Sequence, residues 1–268
     1  MKKCRLIAEI GWNFIGNMEI AKEMIDAAKE SGADYAKFQT WSVKDLKPGA
    51  WDKDGRRDLY KKAELSIKTH HELKEYCDKK EIQFLTSVFN KKYFSFLNKM
   101  DLPSIKIASM ENNNKEILNE AEKNYDEIFM STGATTENEI KNLSNSINQE
   151  KFVIFHCVSS YPTPPESVNL PRINHLRKYF KRVGYSGHLK GISDALASLK
   201  YNPECIEKHF TIDNNLPGRD NQFSILPDQM KTLSKYINEL DAMNNDLGLD
   251  MQQIESEVYK NYRNRWSK

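Results

Sequence analysis

RLIAEIGWNFIGNMEIAKEMIDAAKESGADYAKFQT, residues 5–40, carries the reading that decides the fold. Arg5 to Ile10 and Tyr35 to Thr40 are short, apolar-rich runs and read as strands. Between them, Met18 to Ser31 sets its apolar residues at helical spacing. A crossover through such a helix returns the chain to the same edge of a sheet, so the two strands are parallel.

The same alternation repeats along the chain. Further strands are predicted at Ile82 to Ser87, Ser104 to Ser109, Glu127 to Ser131, Phe152 to Cys157, Arg182 to Ser186 and Cys205 to Phe210. Helices fall at His71 to Lys80, Lys91 to Lys99, Lys115 to Lys123, Glu137 to Asn148, Leu170 to Tyr179, Lys190 to Lys200 and Asp228 to Met243. Eight such units can close into a (β/α)8 TIM barrel of the α/β class, with an open doubly wound sheet as the alternative. A barrel of this kind takes about 250 residues, so the chain of 268 reads as a single domain, 1–268, ending in a tail over 244–268. Trp41 to Ser66, rich in Lys, Asp and Gly, reads as an irregular lid or rim loop.

Charge excludes some functions. The formal net charge is +2, from 40 basic and 38 acidic residues spread along the chain, which gives no basic face for nucleic acid. Cys4, Cys77, Cys157 and Cys205 are far apart with no C-x-x-C pair, and read as thiols in a reducing compartment. Met1-Lys2-Lys3 runs at once into Ile7-Ala8-Glu9, where a signal peptide would be apolar, and no long apolar run follows. The expectation is a cytoplasmic protein without membrane contact.

Polar residues gather at the C-terminal ends of the predicted strands: Glu9, Lys37, Gln39, Ser87, Lys106, Ser109, Ser131, Ser159, Ser186, His188, Glu207 and His209. In a barrel those ends converge on one mouth. A lone serine there is more often a helix cap, and a lone lysine or glutamate is usually solvated. The pattern as a whole marks a site. His188 and His209 follow neighbouring strands, so two imidazoles can share one cation and leave positions open for substrate. Mn2+ is the first expectation, with Mg2+ and Co2+ as alternatives. His156, His70, His71 and His175 read as structural or exposed. Lys37 and Lys106 alternate with apolar neighbours and can point inward, where each needs an anion or another partner. A ligand carrying phosphate and carboxylate would serve, with Ser87, Ser109, Ser131 and Ser186 adding hydroxyl donors. Asp220, in the Leu216-Pro217-Gly218-Arg219-Asp220 loop, is either a mouth-facing acid or sugar ligand, or a turn aspartate.

Six segments together resemble the sialic acid synthase family, which includes N-acetylneuraminate, legionaminate and pseudaminate synthases. They are IAEIGWNFIGNMEIAKEMIDAAKESGADYAKFQTW, KIASMENNNKEIL, STGATTENEI, HCVSSYPTPPESVNL, GYSGHLKGISDALAS and IEKHFTIDNNLPGRD, in the family's order. The resemblance implies a cytoplasmic transferase of carbohydrate biosynthesis that joins phosphoenolpyruvate to a sugar aldehyde, releasing phosphate. It implies that Lys37, Lys106, Ser87, Ser109, Ser131 and Ser186 cradle phosphoenolpyruvate and that Glu9 handles protons or positions water. Ser159, Tyr161, Glu207 and Asp220 fall near the acceptor sugar.

Three departures stand out. Ser186-Gly187-His188 replaces the family's Ser-Asp-His, and Trp12-Asn13-Phe14 replaces its Asn-His segment. The third is expected at the C-terminal end, where the 244–268 tail resembles the linker to the family's antifreeze-like domain and no such domain is expected in this chain. A homodimer is expected, and a separate chain can supply the missing domain. Two competing readings are a metal-dependent lyase of keto-acid sugars and a non-catalytic sugar-binding barrel.

Overall fold

The computed structural model describes residues 4–266, so Met1–Lys3, where the leader reading begins, and the last two residues of the tail fall outside it. All the predicted strands form: β1 (Arg5–Gly11), β2 (Tyr35–Thr40), β3 (Gln83–Val88), β4 (Ser104–Ile107), β5 (Glu127–Ser131), β6 (Phe152–His156), β7 (Val183–Gly187) and β8 (Cys205–His209). They pair in chain order and β8 closes on β1, every pairing parallel. The expected (β/α)8 barrel is therefore the fold, and an open sheet is excluded.

Alternate side chains enter the barrel in layers. Ile7, Tyr35, Leu85, Phe129, Val153, Phe155 and Cys205 fill its middle. Tyr35 meets Phe129, and Phe129 meets Phe155, edge to face at 5.4 and 5.9 Å between centroids. The barrel is thus a packed core, and whatever lies above this layer sits on a dry aromatic base.

Beneath it, Glu127 joins two guanidiniums. Arg5 Nη2 donates to its Oε1 at 2.9 Å, Arg182 also donates to it, and Arg182 Nε reaches Glu204 Oε2 at 3.0 Å. Removing one partner of such a group leaves charge without compensation. Glu127→Ala is expected to cost about 3 kcal/mol of stability, read from urea unfolding, without changing kinetics at the opposite end.

Outside the wall, the helix Met18–Glu30 buries Ala21, Met24, Ile25 and Ala28, a stripe at i, i+3, i+4 and i+7. Its start is fixed by Asn17, whose side chain accepts from the backbone N–H of Glu19 at 3.0 Å and of Ile20 at 3.3 Å.

Several helices are shorter than their spacing predicts. Lys91–Lys99 is a 3-10 turn, Lys91–Tyr93, followed by one helical turn, Phe94–Leu97; Leu170–Tyr179 contracts to Arg172–Leu176. Lys190–Lys200 reduces to Ser193–Ser198 and a 3-10 turn, because Gly191 adopts φ +89, which no helix continues through. Glu137–Asn148 stops at Ser144, whose hydroxyl bonds Lys141 O. His71–Lys80 instead starts earlier, at Ile67, because the Ser66 side chain accepts from Thr69 N at 3.1 Å.

The stretch Trp41–Ser66 is more ordered than an irregular loop. It holds 3-10 turns at Val43–Asp45 and Ala50–Asp52 and a helix at Arg56–Ala63. Tyr60 of that helix packs edge-on to Trp12 at 5.1 Å and Trp41 at 5.8 Å, which places the segment against the rim of the mouth. Near the other end, Leu249, Ile254 and Trp266 are exposed around the short helix Ser256–Asn261. Among the described residues no helix is long and apolar enough to cross a membrane.

Candidate active site

The strand register brings the inward residues of the mouth side by side. Glu9 lies across from Lys37 and His209, Ser87 from Gln39 and Lys106, and Ser186 from Glu207. Two carboxylates and two ammoniums result, all buried. Lys37 Nζ stands 2.8 Å from Glu9 Oε2 and 3.4 Å from Glu207 Oε1, and donates to Ser87 Oγ at 2.9 Å. Lys106 Nζ stands 3.3 Å from Glu207 Oε2 and donates to Ser131 Oγ at 2.5 Å. Ser186 Oγ donates to Glu207 Oε1 at 3.4 Å. The anionic partners that the buried lysines require are thus supplied by the chain itself, and Glu207 stands between both ammoniums.

The four groups do not hold their protons equally. Burial acts to raise Glu207, but Lys106 and Lys37 outweigh it and keep the carboxylate below its usual range. Burial pulls Lys106 below its ordinary value, against Glu207. For Lys37, burial is outweighed by Glu207 and Glu9, and its value rises. Glu9 is pushed up to about 7 by burial and by Glu207, against Lys37. Both oxygens of Glu9 are engaged: Oε2 by Lys37, and Oε1 by Gln39 Nε2 at 2.7 Å. Lys37 faces two carboxylates and stays charged, so Glu9 is the member whose proton comes and goes near neutrality.

His188 and His209 stand beside this cluster with ring centroids 5.5 Å apart. Burial pushes His188 down to about 4, and burial, with a second imidazole alongside that disfavours protonating both rings, holds His209 well below its usual value. Both imidazoles are therefore neutral at neutral pH, the form that donates a lone pair to a cation. His188 Nδ1 lies 2.7 Å from Val158 O, which fixes its hydrogen on Nδ1 and leaves Nε2 as the donor. His209 Nδ1 is buried with no hydrogen-bond partner among the described residues and lies 3.9 Å from Asp220 Oδ2. No cluster of three or more His, Cys, Asp or Glu at metal-binding spacing occurs among the described residues. The donor set is two imidazoles with positions left open, which fits a catalytic cation better than a closed structural one.

The remaining predicted residues ring the same mouth. Tyr161 lies over His188 at 4.3 Å between centroids and over His209 at 6.0 Å. Asp220 is pushed up to about 6 by burial, and Trp12 Nε1 donates to its Oδ2 at 2.8 Å. Ser109 Oγ accepts from Gly133 N at 3.0 Å and lies 3.3 Å from Cys157 Sγ. A Cβ at Gly133 would approach Ser159 Oγ to 2.2 Å, Ser109 Oγ to 2.9 Å and Cys157 Sγ to 3.0 Å, so the glycine is what leaves this corner open. Of the Trp12-Asn13-Phe14 segment only Trp12 meets the mouth: Asn13 donates to Phe210 O at 2.8 Å, and Phe14 packs on Phe38. His156 and His70 are structural, tied to Val168 O and to Thr40 Oγ1, each at 2.8 Å. Cys77, Cys157 and Cys205 are buried free thiols.

The model of the NeuB family matches residues 24–247, most of the chain. The chain belongs to the NeuB family. Among NeuB relatives, the N,N'-diacetyllegionaminic acid synthase of Campylobacter jejuni is 34% identical over 90% of this chain and 77% of its own. The pseudaminic acid synthase of the same organism is 31% identical over 97% of this chain and 79% of its own. The crystal structure of the N-acetylneuraminic acid synthetase of Leptospira borgpetersenii, in complex with citrate, superposes with a TM-score of 0.84 at 30% identity, covering 98% of this chain and 92% of that one. This NeuB chain is a condensing enzyme of the transferase type, belonging to carbohydrate biosynthesis.

Proposed function

We propose that the mouth condenses phosphoenolpyruvate with a sugar aldehyde to give a sialic-acid-like ulosonic acid and phosphate. The observation that carries this reading is two buried lysine–serine pairs, Lys37 with Ser87 at 2.9 Å and Lys106 with Ser131 at 2.5 Å, which converge on Glu207 beside two neutral imidazoles. Two ammoniums and several hydroxyls, buried at the mouth, suit a small ligand bearing phosphate and carboxylate, and Ser109 and Ser186 extend the same lining.

In the reaction, C3 of phosphoenolpyruvate attacks the aldehyde carbon. The new carbon–carbon bond forms, the aldehyde oxygen takes a proton, water adds at C2, and the C2–O bond to phosphate then breaks. Asp220, raised by burial, stands on the His209 side as the acid for the aldehyde oxygen. Glu9 takes the proton from the water, being poised near neutrality where a general base works best. Lys37 and Lys106 hold the phosphate and carboxylate and stabilise the charge that develops on them. Tyr161, Ser159 and Glu207 complete the wall toward the sugar. His188 and His209 would hold a divalent cation, Mn2+ first with Mg2+ and Co2+ as alternatives, which when bound polarises the aldehyde oxygen as a Lewis acid.

The test is phosphate release from phosphoenolpyruvate with Mn2+ present, across N-acetylmannosamine and shorter aldoses. Release that depends on one of the sugars is the expected result. Release without any sugar, or cleavage of a keto-acid sugar without phosphoenolpyruvate, would replace this reading with a hydrolytic or lyase activity.

A further inference from the structure

Behind the two histidines, on the outer face of the barrel wall, lies a buried ion pair that the reaction itself does not use. Asp194, in the first turn of the helix Ser193–Ser198, accepts from Lys208 Nζ at 3.1 Å on each carboxylate oxygen and from Tyr185 OH at 2.8 Å. Its side chain is 0% exposed and that of Lys208 2%. Lys208 Nζ spends another hydrogen on Leu189 O, at 2.8 Å. The network therefore touches the residue that follows His188 and the residue that precedes His209.

The register explains how the carboxylate reaches this place. Gly187 lies directly across from Lys208, so a side chain at 187 would point into the same outer space. None can fit: a Cβ on Gly187 would come within 2.1 Å of Asp194 Oδ2 and 2.8 Å of the Tyr185 ring. The Gly187 backbone is not in the left-handed region, so its conformation does not demand glycine. What demands it is the carboxylate of Asp194. The position where the resemblance expects an aspartate is thus vacated, and a carboxylate from the next helix fills its volume. A buried ion pair of this kind adds little net stability, which leaves the fixing of geometry as its contribution.

We propose that Asp194 is the positioning residue of the two-histidine site, setting the spacing of His188 and His209 through Lys208 and entering by the space that Gly187 leaves open. The proposal rests on the reading that these histidines hold a divalent cation.

The experiment is calorimetric titration of the full chain with Mn2+, alongside thermal unfolding, for wild type, Asp194→Ala, Asp194→Asn and the double variant Gly187→Asp/Asp194→Ala. Loss of a group bonded directly to a metal ligand typically weakens affinity about 10- to 100-fold; Asp194 acts one residue further out, through Lys208, and Asp194→Ala is expected at the lower end of that range, about 10-fold. The double variant returns the carboxylate to the same space and recovers most of the affinity. Should Asp194→Ala not fold, the double variant and Asp194→Asn carry the comparison, the amide keeping the Tyr185 bond while losing the charge. A folded Asp194→Ala with a lowered melting temperature but wild-type affinity would reduce the residue to a structural role and overturn the proposal. So would a double variant as weak as Asp194→Ala. Wild-type protein that binds no Mn2+ would instead remove the two-histidine reading itself.

Discussion

His188→Ala is expected to lower sugar-dependent phosphate release at least about 10³-fold, the equivalent of the several kcal/mol that Lewis-acid polarisation supplies. The argument starts from protonation. A histidine that is charged at neutral pH repels a cation, whereas burial holds His188 at about 4 and His209 lower than usual, so both lone pairs are available throughout the neutral range. Val158 O takes the Nδ1 hydrogen of His188 at 2.7 Å, so the ring cannot rotate without losing that bond. Alanine removes the donor and the ring that Tyr161 covers, while Lys37 and Lys106, the proposed phosphoenolpyruvate contacts, stay in place. The variant should therefore still bind phosphoenolpyruvate, shown by calorimetry, while losing turnover and Mn2+ affinity. His175→Ala, on an exposed helix face, is the matched control and should behave as wild type. Equal turnover in His188→Ala and His175→Ala would sink the metal reading.

Much of this arrangement was legible in the sequence, because a strand end in a parallel barrel has only one place to point. Cys205, Glu207 and His209 share one parity and Ile206 and Lys208 the other; the first set enters the barrel and the second faces the helices. The same alternation identifies Lys37 and Lys106 as inward. What it could not supply was their partners. Sequence alone points the lysines at a ligand anion, whereas pairing across the barrel depends on strand neighbours in three dimensions, and Glu207 lies far from both Lys37 and Lys106 along the chain.

Helix ends were less legible for a different reason. Phe94–Leu97 and Arg172–Leu176 are too short to be stable by their own propensity, so packing against the barrel decides their extent. The Arg56–Ala63 helix escaped notice because it buries only Ala63, and its position rests on Tyr60 meeting two tryptophans from other segments. Asp194 was hidden because the sequence shows Gly187 as a lost carboxylate and cannot show that another one occupies the space.

Glu9→Gln is expected to reduce kcat by about 10²- to 10⁴-fold, the usual contribution of a positioned general base. The amide keeps the size of the side chain, but its single oxygen can accept from only one of Lys37 Nζ and Gln39 Nε2, so one of these contacts is lost together with the charge. Because the wild-type group is pushed up to about 7, kcat should rise with pH through that value in wild type, as the carboxylate ionises, and the variant should lack this limb. A second readout has a defined sign. The fold raises this carboxyl from 4.5 to about 7, so between those values the native state holds a proton that the unfolded chain has released. The associated stability is complete below 4.5 and is lost as pH rises through about 7. Urea unfolding at the two ends of the window should show wild type losing stability toward high pH and Glu9→Gln losing less. A variant that keeps both the rate and the limb near 7 would move the proton-handling role to another group, with Asp220, raised to about 6, next in line.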